Sequence, residues 1–261
     1  MPLEVRNISS SILNNISLTI EDASMNVLMG PSGSGKTTLL NILSGLDEAE
    51  KGEVLLDGEN NKTKIKKNVL TVFQQSEKQL FASTVEEDIA FILRKEKLSK
   101  EEKKKRVIEA CTLVGLDTEL LSKSPLALSG GERRKVALAG ILIAKPKFLL
   151  LDEPLSGLDA KSRKLLLSSL KFLNKEGSAI LIVTHSPDEA ILFPHLFVMA
   201  KGTLIYDGKT REILSSKERA ERMGLEATTA AEVAFLLNER GIKNQNILTD
   251  EELATALRSA L

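Results

Sequence analysis

The sequence has no tryptophan, one tyrosine (Tyr206), one cysteine (Cys111) and two histidines among 261 residues, and aromatic residues make up only 3% of it. So few aromatics argue against an extended stacking platform for bases or sugars. A single cysteine excludes an internal disulfide and suits a reducing compartment. With so few histidines and cysteines, a transition-metal site built from protein ligands alone is not expected. Net charge is also lacking: 36 Lys+Arg balance 36 Asp+Glu. The basic excess usual in nucleic-acid binders is therefore missing, and no nucleic-acid partner is expected. No uncharged apolar run approaches the roughly 20 residues that span a bilayer. The opening MPLEVRNISS has neither the basic segment nor the apolar core of a secretion signal. The expectation is a soluble chain that can still dock on a membrane partner.

What is present is an ordinary globular share of hydrophobic residues, 42%, in a chain long enough for one large domain plus an appendage. LEVRNI (3–8) and ISLTI (16–20) alternate apolar and polar residues, as half-buried strands do. MNVLM (25–29), GEVLLDG (52–58), NVLTVF (68–73), KFLLLDE (147–153) and SAILIVTH (178–185) read as further strands. LLNILSGL reads as a helix ending near Gly45. Thr84 with Glu87, and Ser99 with Glu102, read as capping boxes; the first opens a helix through about Leu93. The second opens a helix with Val107, Cys111 and Val114 on one face, which makes Cys111 a core residue. Helices are also expected around Ala160–Asn174 and after Ser186-Pro187. Lys201-Gly202 reads as a hairpin turn. From about Ser216 the chain is helical and charged, with Thr249 and Glu252 capping a last helix. Strands alternating with helices indicate an α/β parallel sheet. The lysine-rich run 95–106 carries interleaved glutamates and reads as a solvated helix face. His195, next to Pro194, reads as a surface or loop histidine.

Three constellations carry chemistry. Gly30-Pro31-Ser32-Gly33-Ser34-Gly35-Lys36-Thr37 matches G-x-x-x-x-G-K-[ST], a phosphate-binding loop, between an apolar strand and an amphipathic helix. Its backbone N–H groups and the helix N-terminus suit phosphate oxygens, Lys36 adds a positive charge, and the Thr37 hydroxyl can ligate Mg²⁺. FLLLDE (148–153) places Asp152 at the C-terminal end of a buried strand, where ligands bind in open α/β sheets. Asp152 can hold Mg²⁺ through water, and Glu153 can orient or polarise an attacking water. Ser129-Gly130-Gly131-Glu132 makes a capping box whose two glycines leave N–H groups uncovered, a second anion site.

This set resembles the ATP-binding cassette (ABC) ATPases across roughly residues 1–215. GPSGSGKT is similar to their Walker A loop, LSGGE to the signature motif and FLLLDE to Walker B. Leu155–Asp159 resembles the D-loop, His185 the switch histidine, and Gln74 the Q-loop glutamine, all in the family's order. The resemblance implies a P-loop NTPase (RecA-like) core with an N-terminal antiparallel β subdomain and a helical subdomain over about 76–145. It implies ATP and Mg²⁺ as cofactors. Gly30–Lys36, Thr37 and Thr38 would hold the nucleotide; Thr37, Gln74 and Asp152 would hold the metal; Lys36, Gln74, Glu153 and His185 would take part in catalysis. Ser129–Glu132 would cover nucleotide bound to a second cassette, a copy or a paralogue, head to tail.

Gln74–Phe91, SGGERRKVALAGILIAKPKFLLLDEPLSGLD and the tail, with Gly241-Ile242 and Ile247–Leu253, are similar to the ATPases of energy-coupling factor (ECF) vitamin transporters and related cobalt/nickel transporters. That implies a peripheral subunit on the cytoplasmic face of the cell membrane, energising an importer with a transmembrane coupling subunit and a substrate-binding membrane subunit. The alternatives are an ATPase of another ABC transporter type, a soluble ABC protein, or a non-catalytic partner in a heterodimer. The intact Glu153, His185 and SGGE argue against the last. Residues 216–261 are expected as a C-terminal helical extension that helps hold the dimer, with Val233, Leu236, Leu237, Leu253 and Leu257 at near-helical spacing. ABC ATPases commonly place an aromatic under adenine ahead of the phosphate loop. Here the stretch Asn7–Leu13 has none, and Ile12 is left for a weaker apolar contact. Gln75 and Ser76 depart from the ECF pattern's Asn and Pro.

Overall fold

A computed structural model describes residues 2–72, 80–239 and 247–260. Two sheets organise the chain. The smaller is antiparallel, in the order β2 (Ile16–Ile20), β1 (Leu3–Ser9), β4 (Lys51–Leu56). The larger has the order β5 (Val69–Val72), β6 (Phe148–Asp152), β7 (Ala179–Val183), β3 (Met25–Met29), β8 (His195–Ala200), β9 (Thr203–Lys209). Its strands run parallel except β9, which returns antiparallel along β8.

The period-two alternation of these strands divides the interior into two cores. Leu149, Leu151, Ile180, Ile182, Leu196 and Val198 face one. Phe148, Leu150, Leu181, Val183, Phe197 and Met199 face the other, which also takes Leu3, Val5, Ile16, Leu18 and Leu39. The second core therefore glues the small sheet and α1 (Lys36–Leu43) to one side of the large sheet. Strands buried on both faces read as continuous apolar runs, which is why FLLL and AILIV show no alternation in sequence. Phe148, Leu150 and Ile182 are 0% exposed, and each such side chain contributes roughly 1.5–3 kcal/mol of burial.

The other side is covered by helices. α3 (Val85–Ala90), α4 (Lys100–Val114) and α5 (Gly130–Leu142) lie in the middle of the chain, followed by α6 (Ala160–Lys175). Ser99 and Ser129 each form a reciprocal capping box with the glutamate three residues on. Cys111 is fully buried among the residues of this core, and burial pushes its thiol up to about 11. α7 (Pro187–Ala190) and α8 (Thr210–Leu214) precede a tail that, among the described residues, holds α9 (Lys217–Arg222), α10 (Thr229–Glu239) and α11 (Asp250–Ala260). Among the described residues no helix is long and apolar enough to cross a membrane.

Several sequence expectations need correction. The helix opened by Thr84 stops at Ala90 and tightens into a 3₁₀ turn over Phe91–Lys95. Thr84 caps the Glu87 N–H, but that cap is not reciprocal. A helix, α2 (Lys62–Asn68), stands where none was expected. Only Ile65 of it is buried, so it has no apolar period to reveal it; its one sequence signal is the Asn61 cap on the Lys64 N–H. His195 is at the surface, half-exposed as expected, but it opens β8 rather than lying in a loop, with Nε2 2.8 Å from Asp207 Oδ1. In α10 the buried face is alanine (Ala230, Ala231, Ala234) while Leu236 is 56% exposed. Of the expected apolar positions Leu236 points to solvent, Val233, Leu237 and Leu257 are half-buried, and Leu253 packs against Ala230, Ala234 and Ile247. The hairpin at Lys201-Gly202 is present, with positive φ at both residues (48° and 76°), the backbone of a type I′ turn.

Candidate active site

In the large sheet β6, β7 and β3 lie side by side and parallel, with Asp152 opposite Val183 and Leu28 also opposite Val183. Their C-terminal ends, carrying Asp152-Glu153, Thr184-His185 and the loop after Met29, therefore open on one edge. A cavity of about 290 Å³ there is lined by Ile12, Ser32, Gly33, Gly35, Lys36, Thr37, Thr38, Asp152, Glu153, Val183 and His185. Residues far apart in the chain meet because the sheet order brings three strand ends together.

The phosphate loop is built by its glycines. Gly30 has φ 146°, and a Cβ there would lie 2.0 Å from the Met199 carbonyl oxygen, so the loop passes β8 only as glycine. Gly35 caps α1 at φ 98°, where a Cβ would meet the Leu13 side chain at 2.5 Å. Gly30, Pro31 and Ser34 shape the loop from behind rather than lining the cavity. Lys36 Nζ donates to the carbonyls of Gly30 (2.8 Å) and Pro31 (2.9 Å), and Ser34 Oγ lies 3.5 Å away. Burial lowers the Lys36 ammonium from its ordinary value, with Asp152 and Glu153 pulling the other way. A partly buried cation on a curled loop at a helix N-terminus is an anion site.

The Thr37 hydroxyl donates to Asp152 Oδ2 at 3.2 Å. Burial raises the Asp152 carboxyl above its ordinary value; Thr37 opposes this, Glu153 adds to it, and Lys36 and His185 oppose it. A hydroxyl and a carboxylate at this spacing, both oxygen donors on the wall of one cavity, fit a hard divalent cation that keeps several waters, the behaviour of Mg²⁺. Glu153 has φ 48°, a left-handed conformation costing on the order of 1–2 kcal/mol for a residue with a side chain. Its N–H donates to the Val183 carbonyl at 2.9 Å. Its Oε1 lies 3.3 Å from His185 Nε2.

Ser129–Glu132 do not line this cavity. Ser129 caps α5, its hydroxyl and N–H both donating to Glu132 Oε2 (2.6 and 2.8 Å). Those bonds hold the Glu132 carboxyl below its ordinary value. Gly130 and Gly131 are exposed, and a Cβ on either would meet nothing within 4 Å among the described residues. Gln74, with Gln75 and Ser76, falls outside the described residues, as does Gly241-Ile242.

Sequence reasoning missed Arg134, whose guanidinium reaches from α5 to the carbonyls of Glu153, Pro154 and Ser156. It also missed Glu189, 5% exposed, which accepts from Thr184 Oγ1 at 2.5 Å and pairs with Arg163 at 3.3 Å just beyond His185. Nothing in residue spacing signals either contact.

Residues 13–156 match the family described as ABC transporter. Energy-coupling factor transporter ATP-binding protein EcfA2 of Clostridium perfringens is 40% identical over 252 residues, covering 93% of this chain and 87% of its own length. The protein of that name from Enterococcus faecalis is 40% identical (94% and 89% covered), and that from Caldanaerobacter subterraneus 38% (97% and 95%). Among solved structures, cbiO1 from Clostridium perfringens, part of the ABC transporter complex cbiONQ, superposes with TM-score 0.75 at 29% identity, covering 90% of this chain and 98% of that one. The ATP-binding cassette MJ0796, a dimer in a post-hydrolysis state bound to ADP and Pi, superposes with TM-score 0.71 at 29% identity (80% and 98% covered). The chain belongs to the ABC transporter family and, within it, to the energy-coupling factor transporter ATP-binding proteins, which hydrolyse ATP to drive transport.

Proposed function

We propose that this chain is the ATPase subunit of an ECF-type importer for a vitamin or transition-metal ion, acting on the cytoplasmic face of the membrane as a dimer with a copy of itself or a paralogue. The observation that carries the reading is the single cavity in which Lys36, Thr37, Asp152, Glu153 and His185 meet. The loop N–H groups and Lys36 bind the β- and γ-phosphates, exchanging the lysine's bonds to Gly30 and Pro31 for phosphate oxygens. Thr37 and Asp152, joined by Gln74, hold Mg²⁺, which would neutralise charge on the phosphates. Glu153 positions the attacking water and His185 reaches the γ-phosphate while holding the Glu153 carboxylate. The N–H groups of Gly130 and Gly131, at the exposed start of α5, cover nucleotide on the second cassette. Residues 1–215 form the cassette and 216–261 an extension that holds the dimer together.

Coupling to a membrane subunit has its own support. A groove of about 1170 Å³ runs between α2, the 3₁₀ turn and α5. Phe81 (64% exposed) and Phe91 (42% exposed) stand on it edge to face, 4.7 Å apart. Ala137 and Gly140 keep the α5 side low enough for a helix to approach. Exposed aromatics beside a small-residue floor are the composition of a protein-binding groove. The reading is tested by expressing the full chain with and without its transmembrane subunit. Together they should sediment with membranes, and Phe81→Asp with Phe91→Asp should abolish this while ATP binding persists. Equal binding of the chain to protein-free liposomes would overturn it.

A further inference from the structure

Arg134 lies two residues beyond the signature motif, on α5, yet its guanidinium ends in the turn after β6. Nη2 donates to the carbonyls of Glu153 (3.0 Å) and Pro154 (2.9 Å), and Nη1 to that of Ser156 (2.5 Å). Three carbonyls of one turn thus converge on a single planar fork, a geometry that arginine satisfies and a lysine ammonium does not.

The contact to Glu153 matters most because of the backbone there. Glu153 is held at φ 48°, and its N–H is fixed to Val183 of β7 at 2.9 Å. Arg134 fixes its carbonyl from the opposite side. A residue in a left-handed conformation persists only when its surroundings over-determine it, and here the sheet supplies one restraint, the Ser156 N–H, 3.3 Å from the same carbonyl, a second, and the α5 side chain the shorter bond to that carbonyl. The direction of the Glu153 side chain, 3.3 Å from His185, follows from the backbone so fixed.

We propose that Arg134 is a positioning residue for hydrolysis. It holds the Glu153 backbone in its left-handed conformation, and so ties the carboxylate that directs water to the helix carrying the signature motif. The proposal rests on the reading of Glu153 as that carboxylate. It does not place Arg134 on the nucleotide: the cavity that would hold ATP is not lined by it. A rotation of α5 relative to the sheet would therefore be felt first at Glu153, without any change in the phosphate loop.

The test uses the full-length chain in its assembled ATPase. Arg134→Ala should lower kcat at least tenfold with the KM for ATP and the nucleotide Kd within twofold of wild type. Millimolar guanidinium should restore part of the lost rate, whereas methylammonium at the same concentration should not. Introduced into Glu153→Gln, Arg134→Ala should produce no further loss, because the group it positions is already gone. Arg134→Lys, which keeps the packed stem and so guards against a folding failure, should show the same split between kcat and KM. A kcat within twofold of wild type in Arg134→Ala, or parallel loss of kcat and nucleotide binding in both variants, would overturn the proposal. Wild-type turnover in Glu153→Gln alone would instead remove the reading on which it stands.

Discussion

The Thr37 hydroxyl donates to Asp152 Oδ2 across 3.2 Å and so joins the first turn of α1 to the end of β6, 115 residues later. Two oxygen donors from unconnected elements meet on one wall of a cavity that already contains a phosphate loop. If that pair seats the metal, Asp152→Asn and Thr37→Ala should each weaken Mg²⁺-dependent ATP binding by roughly tenfold or more, about 1.4 kcal/mol. Binding measured in EDTA should change little. Calorimetric titrations with and without Mg²⁺ distinguish the outcomes; equal losses in both conditions would mean the pair supports the loop rather than the metal.

Ile12 stands on the rim of the same cavity, 51% exposed, with its Cγ2 3.3 Å from where a Gly35 Cβ would sit. An aliphatic side chain offers a base contact area but no π-face. Ile12→Tyr should therefore tighten ATP binding by about fivefold, or about 1 kcal/mol of stacking. Titrating wild type and variant with ATP and with inorganic triphosphate checks this. A gain that also appears with triphosphate would show that the substitution acts on the loop and not under the base.

The tail is fastened to the cassette by apolar packing, with Ala220, Leu225 and Leu248 buried in the same core as Leu149 and Ile180, and by polar contacts. Asp188, three residues past His185, accepts from the Thr229 N–H (3.0 Å) and hydroxyl (2.8 Å) at the start of α10. Leu236 stays exposed. A chain ending near Ser215 should bind nucleotide with unchanged affinity but hydrolyse ATP more slowly at low protein concentration, the deficit closing as concentration rises. Sedimentation and rates over a dilution series measure this. A deficit independent of concentration would place the tail's role inside one subunit.

Arg211 pairs with Glu252 at 2.6 Å, linking α8 to α11. That hydrogen bond, with help from the Leu248 and Thr249 backbone, holds the Glu252 carboxyl below its ordinary value of 4.5. A carboxyl depressed in the folded state contributes stability that is present above the unfolded value and is lost as pH falls through the folded one. Docking of α11 should therefore weaken progressively below about pH 4.5, and Glu252→Gln should weaken it already at neutral pH. Amide-exchange protection of residues 250–258 reports both. Equal protection in wild type and variant at neutral pH would remove the pair from tail docking.

Much of this architecture was legible because physics repeats in the sequence. FLLLDE had to be a strand with a carboxylate at its end, and GPSGSGKT could take its shape only with glycine where the loop passes Met199. The capping boxes at Ser99 and Ser129 were visible as residue pairs three apart. Other features left no such trace. The short α2 buries one residue, the alanine face of α10 looks no different from helix-forming filler, and the reach of Arg134 into the Glu153 turn depends on tertiary placement. Side-chain contacts between distant elements carry no periodicity, so the chain order of a motif does not disclose them.

Everything proposed for catalysis turns on Glu153, held beside His185 at the end of β6, directing the water that cleaves ATP. Single-turnover hydrolysis of Mg·ATP by Glu153→Gln is the decisive measurement. Nucleotide affinity should be preserved, turnover should fall by two orders of magnitude or more, and the variant should accumulate as an ATP-bound closed dimer. Hydrolysis at the wild-type rate, with no ATP-stabilised dimer, would show that Glu153 does not direct the water.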